Sequence, residues 1–359
     1  MKRRLIFKVD QRPVVHADFA RKQSVTSREK FSRSANSALS PSLCLLGGWL
    51  SLVVGLAAQE IPRFSTLQHL TNNEVRLQLS GPTGLLYRIE VSTGLSAWDP
   101  LITLPASTAT SLQHTDSAAP YLRERYYRAQ QLSGTNILAG DHLVTTNGDV
   151  TIHPLNHAAF VMSWNGKMVY NDVVDAASPF KGLPKADLIL VSHSHPDHFS
   201  TSTIDAVRGS NAVIIVPRTV TNSLTAAQRN IAIALGNGDS TNVLGIGIEA
   251  VPAYNSNHLL GTGNGYVLTI GGKRIYASGD TGNIPEMRAL PNIDVAFVCM
   301  NIPYTMTVND ATNAIRAFRP KVVYPYHYRD QSGAVTNASF FKRQLGADPG
   351  IEVRLRKWY

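Results

Sequence analysis

Four side chains of metal-binding type, His193, His195, Asp197 and His198, fall within six residues of the stretch "ADLILVSHSHPDHFS". Imidazole nitrogens and carboxylate oxygens are the usual ligands of a Zn²⁺ that keeps an open coordination position. In an extended segment His193 and His195 project to the same side. Pro196 stops the strand, and Asp197 and His198 then turn toward a neighbouring point. One short segment can thus serve two adjacent metals. A polar loop of hydrogen-bonded histidines is the plainer reading, but four such residues at this spacing seldom arise by chance.

Further ligands must come from distant parts of the chain. Asp280 follows the apolar run "KRIYASG", and His327 follows "KVVYPY", just as His193 follows "LILVS". Ligand sites in α/β proteins gather beyond the carboxyl ends of strands. His258, in the loop "VPAYNSNHLLGTG", is a further candidate.

The elements that must hold these residues change character along the chain. Residues 61–135 read as all-β, with short alternating runs such as "EVRLQLS" and "LLYRIEVS" separated by Gly81-Pro82 and Ser92-Thr93-Gly94. This spacing suits a small β-sandwich. Trp98 and Tyr127 are expected as core or inter-sheet anchors, with a sugar-binding aromatic as the alternative. From about Gly140 strands and helices alternate. "LILVS" and "AVIIVP" read as buried strands and "TNSLTAAQRNIAIAL" as a helix capped near Thr221 or Asn222. "VNDATNAIRAFRP" is expected as a helix capped by Thr307, and "NASFFKRQLG" as a final helix. Cys299, in "VAFVCM", is expected as inert core.

The net charge of +9 resembles a nucleic-acid signature, but its location argues otherwise. Ten of the 34 Lys and Arg residues, but only three of the 25 acids, lie within residues 1–42. The remainder carries 24 bases against 22 acids, so no basic nucleic-acid face is implied. After this basic leader comes "LCLLGGWLSLVVGLAA", Leu43 to Ala58, which has a secretory signal layout with cleavage expected after Ala57 or Ala58. The run is short for a spanning helix, so no stable membrane span is expected after cleavage.

The ordered set HxHxDH, a later His, GD and a final His resembles the metallo-β-lactamase superfamily from about Gly140 to Tyr359. "NHAAFVMSWNGKMVYND", "LPKADLILVSHSHPDH", "GKRIYASGDTGNIPEM" and "PKVVYPYHY" look most like its ascorbate-phosphate-lactonase-like, metal-dependent hydrolase branch. The resemblance implies an α/β fold, a four-layer αββα sandwich. It implies two divalent metal ions, zinc first and Mn or Fe as alternatives. His193, His195 and His258 would bind one, Asp197, His198 and His327 the other, and Asp280 would bridge them. Asp172 would orient the HxHxDH segment from behind. His157 would line the cleft. Apart from the resemblance, Tyr304 and Thr305, placed after the apolar run "VAFVCMNIP", are expected to contact substrate, with plain packing as the alternative for Tyr304. The stretch "SGPTGLLYRIEVSTGLSAWDPL" resembles small fibronectin-like modules, implying a spacer or a surface or carbohydrate contact.

The expected organisation is therefore a leader and signal peptide over 1–58, a β-sandwich accessory domain over 59–135 and a hydrolase domain over 136–359. The expected protein is an exported hydrolase of a small-molecule substrate, in which a metal-bridged hydroxide attacks a carbonyl or phosphoryl centre. Asp197 would receive the proton. The competing expectation is a catalytically inactive binding or scaffold protein on the same fold, which the full set of candidate ligands disfavours. A nuclease is disfavoured by the charge distribution.

Overall fold

The computed structural model describes residues 61–134, 136–174, 176–330, 332–346 and 348–359, with the backbone of Ile6–Val9. Ile6–Val9 pairs in parallel with the strand Glu124–Leu132; the rest of the expected leader and signal segment lies outside the described residues. No helix among the described residues is long and apolar enough to cross a membrane.

Two sheets stack face to face, and alternation within their strands shows why. In Ala159–Trp164, Phe160, Met162 and Trp164 enter the core between the sheets, while Ala159 and Val161 enter a second core outside it. In the strand Ala186–Leu190 and its continuation, Leu188 and Leu190 point inward and Ile189 and Val191 outward. A strand buried on both faces must be apolar at every position, which accounts for the unbroken "LILV". Across the central layer Phe160 stacks on Phe297, with centroids 3.9 Å apart. The outer core on the first sheet is closed by Ile204 and Val207 of the helix Thr201–Val207. On the second sheet the helices Val308–Phe318 and Ala338–Leu345 add Ile315, Phe318, Phe341 and Leu345. The order is helix, sheet, sheet, helix, the expected four-layer α/β sandwich. Thr307 and Asn337 cap these last two helices by accepting from Asp310 N and Phe340 N.

The expected helix over "TNSLTAAQRNIAIAL" is corrected. It is a 3₁₀ turn, Arg218–Ser223, and one α-turn, Ala226–Arg229, capped by Thr225. "AIAL", Ala232–Leu235, is instead an edge strand parallel to Ile214–Pro217. Gln228 is buried and ties the turn to Thr201 O, and the sheet edge captures the apolar residues that follow. Pairing overrides a modest helical preference here.

Residues 61–132 do form two small facing sheets around Val75, Leu77, Ile89 and Tyr127. One of them is continuous with the large sheet, because Asp99–Leu104 pairs antiparallel with Gly140–Val144 through Ile102–Asp141 and Thr103–Gly140. A buried ionic network reinforces this junction. Asp141 accepts from Arg356 at 2.8 and 2.9 Å and from the Tyr324 hydroxyl at 2.8 Å, and Ser117 donates to Glu352 at 2.6 Å. Trp98 is half-buried under the Arg128 guanidinium, 4.5 Å from its centroid, and Tyr127 is buried and donates to Asp116.

Candidate metal centre

The strand Ala186–Leu190 ends beside two others of the first sheet, and the chain leaves it into the HxHxDH turn. Asp172, directly after the strand Lys167–Asn171, sits under this turn and is fully buried. Its Oδ1 accepts from Ser192 N at 2.7 Å. Its Oδ2 accepts from the Ser192 hydroxyl and from His198 Nδ1, each at 2.9 Å. The Ser192 hydroxyl also lies 3.1 Å from His193 Nδ1. With the Nδ1 atoms of His193 and His198 donating inward, both Nε2 lone pairs face the cleft.

Close backbone approach lets the Asp280 loop reach this turn. Gly279 has φ +60°, and a Cβ there would lie 2.9 Å from Asn264 O and 3.2 Å from the Ser192 Cβ. Only glycine takes this conformation and this proximity without cost. Asp172 (φ 44°), His157 (φ 54°) and His327 (φ 46°) also sit in the left-handed region. Non-glycine residues there are uncommon and mark positions where a sharp turn is imposed on the side chain's direction.

Two groups of donor atoms result. In the first, His193 Nε2 lies 3.0 Å from His195 Nδ1, and His258 Nε2 lies 3.2 Å from that same atom. In the second, His198 Nε2 and His327 Nε2 are 3.1 Å apart, and Asp197 Oδ2 is 3.8 and 3.6 Å from them. Asp280 stands between. Its Oδ1 is 3.3 Å from both His198 and His327, and its Oδ2 is 3.9 Å from His193 and 3.8 Å from His258. A tetrahedral ion with bonds of about 2.05 Å has donors separated by about 3.3 Å, so both groups fit a zinc-sized cation. Asp280 Oδ1 is buried and has no hydrogen-bond partner among the described residues, although imidazole nitrogens surround it. A buried carboxylate oxygen in this setting takes either protons from the two imidazoles beside it, each 3.3 Å away, or a cation in their place.

The electrostatics divide the centre. Burial works against charge on Asp280, but His327 and His198 hold its carboxyl well below the ordinary range. Burial likewise opposes protonation of His327, yet Asp280 and Asp197 raise it to about 9. Burial pushes His193 down, helped by the neighbouring His198, and His258 is lowered by burial as well. The His198–His327 side thus attracts positive charge, while His193 and His258 on the other side disfavour it. Asp197 is held low, against burial, by His157 and His327.

The sequence-derived residues converge. His195, Asp197, His258, Asp280, His327, His157 and Tyr304 line one cavity of about 620 Å³, with His193 and His198 beneath. His157 meets Asp197 Oδ2 at 3.0 Å and its ring lies 3.8 Å from that of His327. Thr305, expected to touch substrate, is instead buried and bonds Asn301 N through its hydroxyl at 2.7 Å, shaping the loop rather than facing the cavity. Cys299 is a buried free thiol, pushed up to about 12 by burial, as inert core requires.

Sequence reasoning missed four participants. Ser192 links Asp172 to two histidines. Asn255 accepts from His258 Nδ1 at 3.0 Å and donates to Asp280 O and Tyr304 O at 3.2 and 2.9 Å. Its place three residues before His258 was a usable signal. Arg329 and Tyr359 also line the cavity, and nothing in their local sequence marked Tyr359.

A four-layer αββα sandwich with a histidine–carboxylate centre at the strand ends defines the metallo-hydrolase class. The chain belongs to the metallo-β-lactamase superfamily. The model of the β-lactamase superfamily domain matches residues 151–327. The UPF0173 metal-dependent hydrolase of Thermococcus kodakarensis is 30% identical over 225 residues, covering 57% of this chain and 100% of that protein. Its counterpart in Thermus thermophilus is 30% identical over 190 residues, covering 50% of this chain and 84% of that protein. A crystal structure of a protein from Parabacteroides distasonis, described as a metal-dependent hydrolase, is 37% identical with TM-score 0.55, covering 61% of this chain and 99% of that one.

Proposed function

We propose that this chain, a metal-dependent hydrolase of the metallo-β-lactamase superfamily, is exported and holds two divalent ions, zinc first and manganese or iron as alternatives. It cleaves a small molecule at a carbonyl or phosphoryl centre: a lactone, ester, phosphodiester or amide. The observation that carries this reading is Asp280, whose two oxygens face two separate histidine groups. His193, His195 and His258 would hold one ion, Asp197, His198 and His327 the other, with Asp280 shared. Bound in pairs, such ions make a water acidic near neutral pH and stabilise negative charge developing on the attacked group.

The protein's own groups do the rest. Asp197, with its side chain 49% exposed, is the carboxylate most open to the cavity and receives a proton as the water attacks. His157 holds Asp197 in place through Oδ2. Asp172 and Asn255 fix the imidazole orientations, and Tyr304 bounds the space beside the scissile bond. The basic and apolar order of residues 1–58 supports export. Residues 59–135 act as an accessory β unit and 136–359 as the hydrolase unit, a division on which the pairing of Asp99–Leu104 with Gly140–Val144 bears directly. The inactive-scaffold reading has no structural observation in its favour.

The test is elemental analysis of purified residues 59–359, followed by a screen of the metal-loaded protein against lactones, phosphodiesters, thioesters and β-lactams. About two metal equivalents and metal-dependent turnover are expected. No bound metal and no uptake of added Zn²⁺ or Mn²⁺ would sink the proposal.

A further inference from the structure

Most half-buried arginines here answer to a carboxylate: Arg125 to Asp116, Arg128 to Glu90, Arg274 to Glu249 and Arg356 to Asp141. Arg329 lines the cavity of the candidate centre and has no such partner among the described residues. Its Nε is buried and makes no hydrogen bond. The guanidinium carbon lies over the Tyr359 ring, 3.8 Å from the centroid. Tyr359 is itself fixed, its hydroxyl accepting from Tyr328 N and Arg329 N at 3.2 Å each and lying 3.1 Å from His157 Nδ1. Asn301 donates to Arg329 O at 2.8 Å and anchors the backbone. The neighbouring Asp330, which also lines the cavity, makes no ion pair with it among the described residues; its Oδ1 accepts from the Ser332 hydroxyl and Ala334 N at 2.7 and 2.8 Å.

A guanidinium stacked on an aromatic ring and without a carboxylate partner, at the wall of a reaction cavity, is a prepared site for an oxyanion, since its fork matches two oxygens of a carboxylate or phosphate in two parallel hydrogen bonds. Its stacking partner has already removed much of the rotamer freedom that binding would otherwise cost. The metal-facing carboxylates Asp197 and Asp280 repel an anion from the centre itself until cations are in place. Because Arg329 and Asp280 line the same cavity, a substrate whose charged end rests on Arg329 has its scissile end free to reach Asp280.

We infer that Arg329, backed by Tyr359, is the specificity-determining residue for an anionic substrate, one that carries a carboxylate or phosphate at a distance from the bond that is hydrolysed. This rests on the hydrolase reading above. In the reaction water adds its hydroxyl to the acyl or phosphoryl centre, the bond to the leaving oxygen or nitrogen breaks, and the remaining proton reaches that leaving atom. The charged group on Arg329 is unchanged throughout.

Two measurements test this. First, calorimetric titration of the metal-free full chain with glutarate and with methyl phosphate separates the two anion sources without any need for catalysis. Binding of at least one is expected, weakened about tenfold to a hundredfold in Arg329→Gln and partly kept in Arg329→Lys. Equal binding by wild type and Arg329→Gln overturns the inference. Second, the zinc-loaded protein is assayed with p-nitrophenyl acetate, with the p-nitrophenyl monoester of glutarate and with bis-p-nitrophenyl phosphate. The ratio of kcat/KM for the glutarate ester to that for the acetate is expected to fall about tenfold or more in Arg329→Gln, chiefly through KM. An unchanged ratio with turnover intact refutes the role of Arg329 alone. Absence of all turnover with anion binding still dependent on Arg329 refutes the hydrolase reading alone.

Discussion

The carboxylate of Asp172 accepts from Nδ1 of His198 at 2.9 Å, and both side chains are fully buried. The pair decides which nitrogen of His198 faces the cleft, because a proton held on Nδ1 by Asp172 leaves Nε2 as the nitrogen turned toward His327 and Asp280. Replacing Asp172 with Ala removes that constraint and leaves Ser192 N without its acceptor. Loss of such a supporting carboxylate is expected to weaken metal affinity about 10–100-fold. Chelator competition on the purified variant checks this, and unaltered affinity would contradict the orienting role.

Asp280 is expected to matter to both donor groups, and the surrounding histidines to one each. Asp280→Ala should therefore lose metal from both positions and abolish hydrolysis. His258→Ala should lose about one equivalent, because only the group with His193 and His195 is broken. Elemental analysis after dialysis distinguishes the outcomes. Retention of two equivalents in Asp280→Ala would rule out the shared position.

Much of this centre was legible because its residues declare themselves chemically. His193, His195, Asp197 and His198 are dense in sequence, and Asp280 and His327 follow apolar strands. The supporting residues were less legible for a physical reason. Ser192 and Asn255 act by hydrogen bonds whose partners are set only when loops 20 and 25 residues apart meet. Tyr359 reaches the cavity from 202 positions beyond His157, a contact that periodicity does not encode. At fold level, unbroken apolar runs such as "LILV" identified the doubly buried strands, since burial on both faces leaves no place for a polar residue. "IAIAL" failed because a short apolar run fits helix and strand alike, and only the open sheet edge beside Ile214–Pro217 decides between them. The continuous sheet across Ile102 and Asp141 was invisible for the same reason, as strand partners are chosen in space.

Gly279 supplies a test of how the centre is assembled. With φ +60° and a projected Cβ 2.9 Å from Asn264 O, an alanine there must move backbone on one side. The adjacent Asp280 and the Ser192–His193 turn move with it. Gly279→Ala is expected to destabilise the protein by about 1–3 kcal/mol. It should also weaken metal binding by more than the stability loss explains. Thermal unfolding of the metal-free variant and metal titration together check this, and a destabilised protein with unchanged metal affinity would show that the loops adjust independently.

The junction between the β unit and the hydrolase unit should fail in acid, beginning with a histidine. Burial, helped by Arg356 and Arg354, pushes His114 down to about 3, against the attraction of Asp141 and Glu352. Its folded pKa lies below the unfolded value of about 6.5, so the unfolded chain binds the extra proton between those limits. The stabilisation is therefore complete above about pH 6.5 and is lost as pH falls toward 3. One proton corresponds to about 1.4 kcal/mol per pH unit. Asp141 and Glu352 are held low by Arg356 and Arg354 in spite of burial. Their contributions are present above the ordinary carboxylate range and are lost only at lower pH, as their folded pKa values are approached. The acid loss should thus have two stages, with His114 first. His114→Gln cannot titrate, so its unfolding free energy should fall less steeply than wild type between about pH 6.5 and about 4.5, by about 1.4 kcal/mol per unit. The other histidines titrate in both proteins and cancel in the difference. Denaturant unfolding at a series of pH values measures that difference, and parallel curves for the two proteins would show that His114 does not gate the junction.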